Sequence, residues 1–390
     1  MKRILLGSLI SVLTIVSVQA QHNSLIKVIV PGGEARMQYV GSIAKDIMIL
    51  PIEMPAPNFV VNPAEPLPAG VASTSRKNYN GEPIPPNVDY VVFDGNNCFI
   101  QTKIPSQFYA FKLKNGKLKC NTKISYGEVK GSVSVDTKNH LIYIFEGPQY
   151  KCVSYKNRLV FQDSMDIIIN PQVVGINDGV IIASSTMKRK ISDYTYQYEP
   201  SKYHWLIKFQ DNEIADTIME KYVSSTSSLQ EFYVRNGEMP FSNLKEQYSY
   251  HITYDSTMFH IDKQTGSVCG GYYFNSDNSN NCEIVYGRAF ETDRHILFDI
   301  INTQAKRVSQ TGIYNKANDR TMVCNLVNDL FDFNLFGKCI GTCKYGFIYS
   351  IPVDNNFKLK EKAYEVLSDK QIDAITSVTP GHCFLMIIDF

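Results

Sequence analysis

Seven histidines and the carboxylates near them are the residues of this 390-residue chain best suited to chemistry. The run Glu291-Thr292-Asp293-Arg294-His295 places two acids, a guanidinium and an imidazole within one short segment. Those are the residue types that proton transfer uses. A local run of this kind reads as a solvated turn unless side chains from other strands converge on it. His140, His260 and His382 adjoin or sit within strand-like patterns, where a structural role is expected, and His204, His251 and His295 flank aromatic or charged residues. The linear signatures of catalysis are missing: no GxSxG elbow, no HExxH, no P-loop. Asn275 to Asn281 is rich in oxygen ligands but lacks the spacing and closing Glu of a calcium loop. No Cys/His spacing suits zinc, so neither a metal nor a cofactor is expected.

A second kind of chemistry, recognition by planar rings, is suggested between Tyr194 and Phe209. Tyr194, Tyr196 and Tyr198 alternate, so on a strand they share one face. Pro200 interrupts the segment, and Tyr203, His204 and Trp205 follow. Rings with polar tips suit a sugar face or a protein partner, because they bury large area at low entropy cost. These six residues are the candidate ligand-binding set. Packing between sheets is the other use for them.

The elements that must position such residues are strands. Tyr and Phe number 24 and 21, against a single Trp, and β-branched residues are abundant, a composition that favours sheet. Leu141 to Phe145 is apolar on both alternating faces, as a strand covered on two sides must be. Helical candidates are few: Ser42 to Ile49, Leu326 to Phe331 and Ser368 to Ser377. Strand–turn–strand units recur with turns near residues 115, 157, 211, 264, 303 and 355. Asn115-Gly116 gives the strongest hairpin signal. Steps of roughly 40–55 residues match four-stranded propeller blades, and a large β-sandwich is the competing architecture. The expected fold is therefore all-β, a six-bladed β-propeller. The strand-like ends, Ser24 to Pro31 and Cys383 to Phe390, are expected to close the ring by sharing one blade, with Phe384 to Asp389 as buried sheet.

Lys2 and Arg3 precede an apolar run from Ile4 to Val18, and Val18-Gln19-Ala20 offers small residues before a cut. This reads as a signal peptide over residues 1–20. Residues 21–390 then form a single propeller domain, with a proline-rich excursion at 51–86 that holds nine of the seventeen prolines. No cysteine lies near the cut, so a periplasmic or secreted protein is expected rather than a lipoprotein. With 39 basic and 38 acidic residues, nothing in the charge calls for nucleic acid or an anionic membrane. Nine cysteines cannot all pair with one another. Most read as buried thiols, and Cys339 with Cys343 is the best local pair for a disulfide.

The segment "SIAKDIMILPIE", Ser42 to Glu53, and the units "IYIF…YK" and "FYAFKLKNGKL" resemble the six-bladed β-propellers exported by Bacteroidota-type bacteria. The resemblance spans nearly the whole mature chain and supplies no catalytic residues. Missing catalytic signatures and abundant aromatics, on a rigid ring with loops on one face, lead to the expectation of a monomeric binding or scaffolding module, with a glycan or an envelope protein as partner. A polysaccharide hydrolase or lyase, its residues gathered from several blades around a central channel, is the alternative.

Overall fold

Runs of β-branched and aromatic residues become strands throughout a computed structural model that describes residues 25–32, 35–53, 85–103, 106–121, 126–129, 131–146, 149–164, 172–184, 187–192, 195–199, 203–210, 213–222, 241–252, 255–276, 285–302, 307–332 and 338–390. The leader, most of the proline-rich excursion, Tyr194, and Asp277 to Cys282 lie outside the described residues. The chain divides into two compact units: the described parts of Met1–Met37, Lys130–Leu326 and Thr342–Lys344, and those of Gln38–Val129, Val327–Gly341 and Tyr345–Phe390. The protein is all-β, built from several sheets.

In the larger unit the sheets are up-and-down meanders taken in chain order. One comprises Ser132–Asp136, Leu141–Glu146, Gln149–Ser154 and Leu159–Ser164. The next comprises Gln172–Ile176, Gly179–Ser184, Tyr203–Gln210 and Glu213–Tyr222. A two-stranded hairpin, Met187–Ser192 with Thr195–Glu199, is inserted between its second and third strands. Phe241–Asn243, Gln247–His251, Thr257–Asp262 and Val268–Ser276 make the third, and Leu25–Val30 adds in parallel to its last strand. Val285–Glu291, His295–Asn302, Arg307–Asn315 and Arg320–Val327 follow. Successive sheets pack face to face. Phe145 and Tyr150 of the first meet Val173 and Ile182 of the second; Leu206 of the second meets Tyr250 and Ile261 of the third; Phe274 of the third meets Phe298 of the fourth. That layering explains strands apolar on both faces, such as Leu141–Glu146, whose four central residues are all buried.

The smaller unit holds the meander Val88–Asp94, Asn97–Lys103, Ser106–Lys114 and Lys117–Cys120. Asn115 and Gly116 both take positive φ, 54° and 73°, the backbone of a type I′ hairpin turn. A second run of strands, Cys339–Cys343, Gly346–Val353, His382–Asp389 and Asp46–Glu53, joins it through a short parallel pairing of Ile52 with Leu118 and Glu53 with Lys119. His382–Asp389 lies between Gly346–Val353 and Asp46–Glu53. Phe384 to Ile388 are all buried, each side chain contributing about 1.5–3 kcal/mol on removal from water.

Five expectations change. Ser42 to Ile49 is not a helix: one turn, Val40–Ile43, gives way to the strand Asp46–Glu53, because Ile47, Ile49 and Leu50 are buried between neighbouring strands, which outweighs a weak helical pattern. Leu326 to Phe331 is not a helix either, since the Asn328 carboxamide oxygen accepts the Leu330 and Phe331 N–H groups and forms a local turn. Asp354 to Asn356 does not turn a hairpin. Gly346–Val353 pairs instead with Cys339–Cys343 and His382–Asp389, and Glu361–Val366 and Asp369–Thr376 are helical between those last two strands. Leu25–Val30 does not meet the C-terminal strand, whose N-terminal partner is Asp46–Glu53. Cys339 and Cys343 stand as thiols.

Candidate functional site

Glu291 ends the strand Val285–Glu291 in the larger unit, and its side chain is 1% exposed. One carboxylate oxygen lies 2.8 Å from His260 Nε2 and the other accepts from Lys316 Nζ at 2.5 Å. Lys316 also donates to the Thr292 carbonyl at 2.6 Å, and the Glu291 N–H donates to Ser242 Oγ at 2.8 Å. Burial alone would raise the Glu291 carboxyl, but the hydrogen bonds and charges of His260 and Lys316 outweigh it and hold the group below its ordinary value. Tyr272 packs edge-on to His260 and beneath the Lys316 ammonium. The cluster ties the third and fourth sheets together. With both oxygens engaged, Glu291 is committed to that link.

Asp293 and Arg294 of the same run are exposed. Thr292 and His295 close a tight turn through paired backbone and hydroxyl bonds. The sequence singled out Glu291 through its neighbours, whereas its partners His260 and Lys316 come from other strand ends.

A different site lies between the first two sheets of the larger unit. Alternation puts Tyr143 and Phe145 on one face, and register places Tyr150 opposite Phe145 and Cys152 opposite both Tyr143 and Phe161. The four rings contact one another in a closed circuit, with centroids 6.4 Å (Tyr143–Phe145), 5.6 Å (Phe145–Tyr150), 5.9 Å (Tyr150–Phe161) and 6.1 Å (Phe161–Tyr143) apart. Phe161 stands at 66° and 83° to the two tyrosine rings. With Val173, Val180, Ile182 and Phe209 of the facing sheet they bound a partly open cavity of about 160 Å³. Burial raises the Tyr143 and Tyr150 phenols, assisted by neighbouring anionic groups that include Asp136 for the first and Asp163 for the second, so both stay neutral hydrogen-bonding groups. Burial likewise pushes the Cys152 thiol up to about 11, which leaves it unreactive.

The folded chain is similar in structure to a Bacteroides fragilis protein described as exported, at 12% identity, 94% coverage of this chain, 99% of that one and a TM-score of 0.57. This likeness shows the fold. Further neighbours are the WD40 domain of Neurospora crassa Pan2 (10% identity, 61% of this chain, 65% of that one, TM-score 0.34) and the β-propeller domain of Myceliophteria thermophila Cps50 (7%, 62%, 85% and 0.34). No family model and no curated protein matches the sequence.

The ring cluster expected from the sequence is only in part within the described residues. Tyr196 and Tyr198 lie on Thr195–Glu199 of the inserted hairpin, opposite Lys190 and Lys188. Tyr203, His204 and Trp205 begin the strand Tyr203–Gln210, opposite Tyr222, Lys221 and Glu220. The cavity uses other rings, of which only Phe209 comes from the same strand. Tyr143 and Phe145, two apart on one strand, with Tyr150 and Phe161 on the next two strands, were the signal available in the sequence. Among the described residues no group of His, Cys, Asp or Glu is arranged to hold a metal, and no helix is long and apolar enough to cross a membrane.

Proposed function

We propose that this chain is an exported six-bladed β-propeller that acts as a non-catalytic binding or scaffolding module at the cell envelope, with a glycan or an envelope protein as its partner. The blade count is supported by the serial four-stranded meanders of both units. The pairing of His382–Asp389 with Asp46–Glu53 supports closure by the chain termini. The basic-then-apolar leader supports export, to periplasm or medium, and the module is proposed to act as a monomer.

The aromatic cavity carries the reading. Its lining is mainly ring and aliphatic surface with a few polar tips, the composition of a recognition pocket. Its volume is close to the roughly 150 Å³ of an engineered cavity that accepts benzene, so it takes one inserted group of a larger partner. Glu291, a buried acid with both oxygens occupied, supports binding over polysaccharide cleavage.

A thermal-shift screen of residues 21–390 against envelope glycans, with crosslinking in the native envelope alongside, tests the proposal. A ligand that binds only the folded chain raises its melting temperature. The expected result is a reproducible rise with one glycan class, or one crosslinked protein partner, without turnover of either. Chemical conversion of a bound glycan, or no response in either arm, overturns it.

A further inference from the structure

The aromatic cavity has a chemical preference that its volume alone does not convey. Tyr143, Phe145, Tyr150 and Phe161 form the closed circuit described above, and Phe161 meets both tyrosine planes steeply. Tyr143, Phe145 and Tyr150 lie within 15° and 25° of their neighbours in the circuit and Phe161 stands across them, so the rings form a corner that suits a rounded group better than a flat one. No Lys or Arg is among the lining residues. Lys151 and Lys208, on the strands that supply Tyr150 and Phe209, occupy the alternate positions. The only formal charge on the aromatic face of Leu159–Ser164 is Asp163, exposed, two residues from Phe161 and directly opposite Tyr150 in register. Electron-rich rings with a carboxylate beside them attract organic cations, because the ring quadrupole and the acid act with the same sign. A bare sugar ring would have to strip several hydroxyls of water to enter a cavity with so few polar partners, so the group a larger partner inserts is a substituent and not a ring.

We infer that this cavity binds a small alkylated ammonium group, of the trimethylammonium kind, with Tyr143, Tyr150 and Phe161 as its aromatic walls and Asp163 as its counter-charge. The inference rests on the binding-module reading and names the group that is inserted. A choline-type lipid headgroup and a trimethylated lysine of a protein share this chemistry.

Residues 21–390 are titrated calorimetrically with choline and with 3,3-dimethyl-1-butanol, its uncharged analogue of the same shape. Choline is expected to bind about tenfold more tightly than the analogue. Asp163→Asn, an exposed change that leaves the core intact, and Phe161→Leu, which keeps apolar volume without a ring, should each weaken choline by several fold while circular dichroism and melting temperature stay near wild type. Equal affinity for choline and its analogue, no binding of choline, or unchanged binding in both variants overturns the inference. Phosphatidylcholine vesicles and a trimethyllysine peptide, used with the wild-type chain, then separate a lipid source from a protein source. A glycan or envelope partner found in the screen above, with no response to choline, removes the cation and leaves the module standing. Silence in both experiments removes both.

Discussion

At the scale of single residues, Glu291 has the most consequential surroundings. Its carboxylate is 1% exposed and held by His260 and Lys316, so neutralising it leaves Lys316 without a counter-charge and His260 without its charged partner. Glu291→Gln should therefore cost about 3 kcal/mol, with binding of any ligand by the aromatic cavity unchanged; urea denaturation at neutral pH measures it. The sign of the pH dependence follows from its lowered folded value. The stabilisation is fully present above the carboxylate range of the unfolded chain and is lost as pH falls through the folded value. Wild type and Glu291→Gln should thus converge in stability on acidification. Little of this was legible in the sequence. Glu291 stood out only because of its charged neighbours, while His260 and Lys316 lie 31 and 25 positions away and reach it through packing between sheets. The cavity rings were equally hidden, since aromatic residues at alternate positions describe sheet packing and a pocket alike.

Among elements, hairpins with local turn chemistry were readable and those formed by distant partners were not. Asn115-Gly116 announces its own turn. Its φ values of 54° and 73° are ones that Asn and Gly tolerate and other residues resist. A Cβ added at Gly116 would meet nothing within 4 Å, so Gly116→Ala tests backbone strain alone. It should destabilise the chain by about 1 kcal/mol, read as a lower denaturant midpoint with an unchanged slope. The helix Asp369–Thr376 lies within the expected Ser368 to Ser377, and at its start the Gln371 side-chain oxygen accepts the Ser368 N–H at 2.8 Å. The pairing of Gly346–Val353 with His382–Asp389 was not legible, because two helices separate the strands and the apparent turn at Asp354 to Asn356 has the composition of a hairpin without its partner strand.

For the whole molecule, the C-terminal strand is the element to remove. It is buried from Phe384 to Ile388 and paired on both edges, so its loss uncovers two strand edges and an apolar face at once. A chain ending at residue 381 should lose its cooperative melt and elute as aggregates on size-exclusion chromatography, whereas a melt like that of the intact chain would mean that the strand is dispensable. The same long-range pairing bears on how the protein is made. Leu25 lies opposite Gly271 and Pro51 opposite Phe384, so the earliest strands to be synthesised wait for partners about 250 and 330 residues later, an extreme of non-local contact. At about 5–20 residues per second, translation leaves the amino-terminal strands without partners for tens of seconds. The meanders, by contrast, have their partners next in sequence, so these two strands are among the first made and the last to be locked into place.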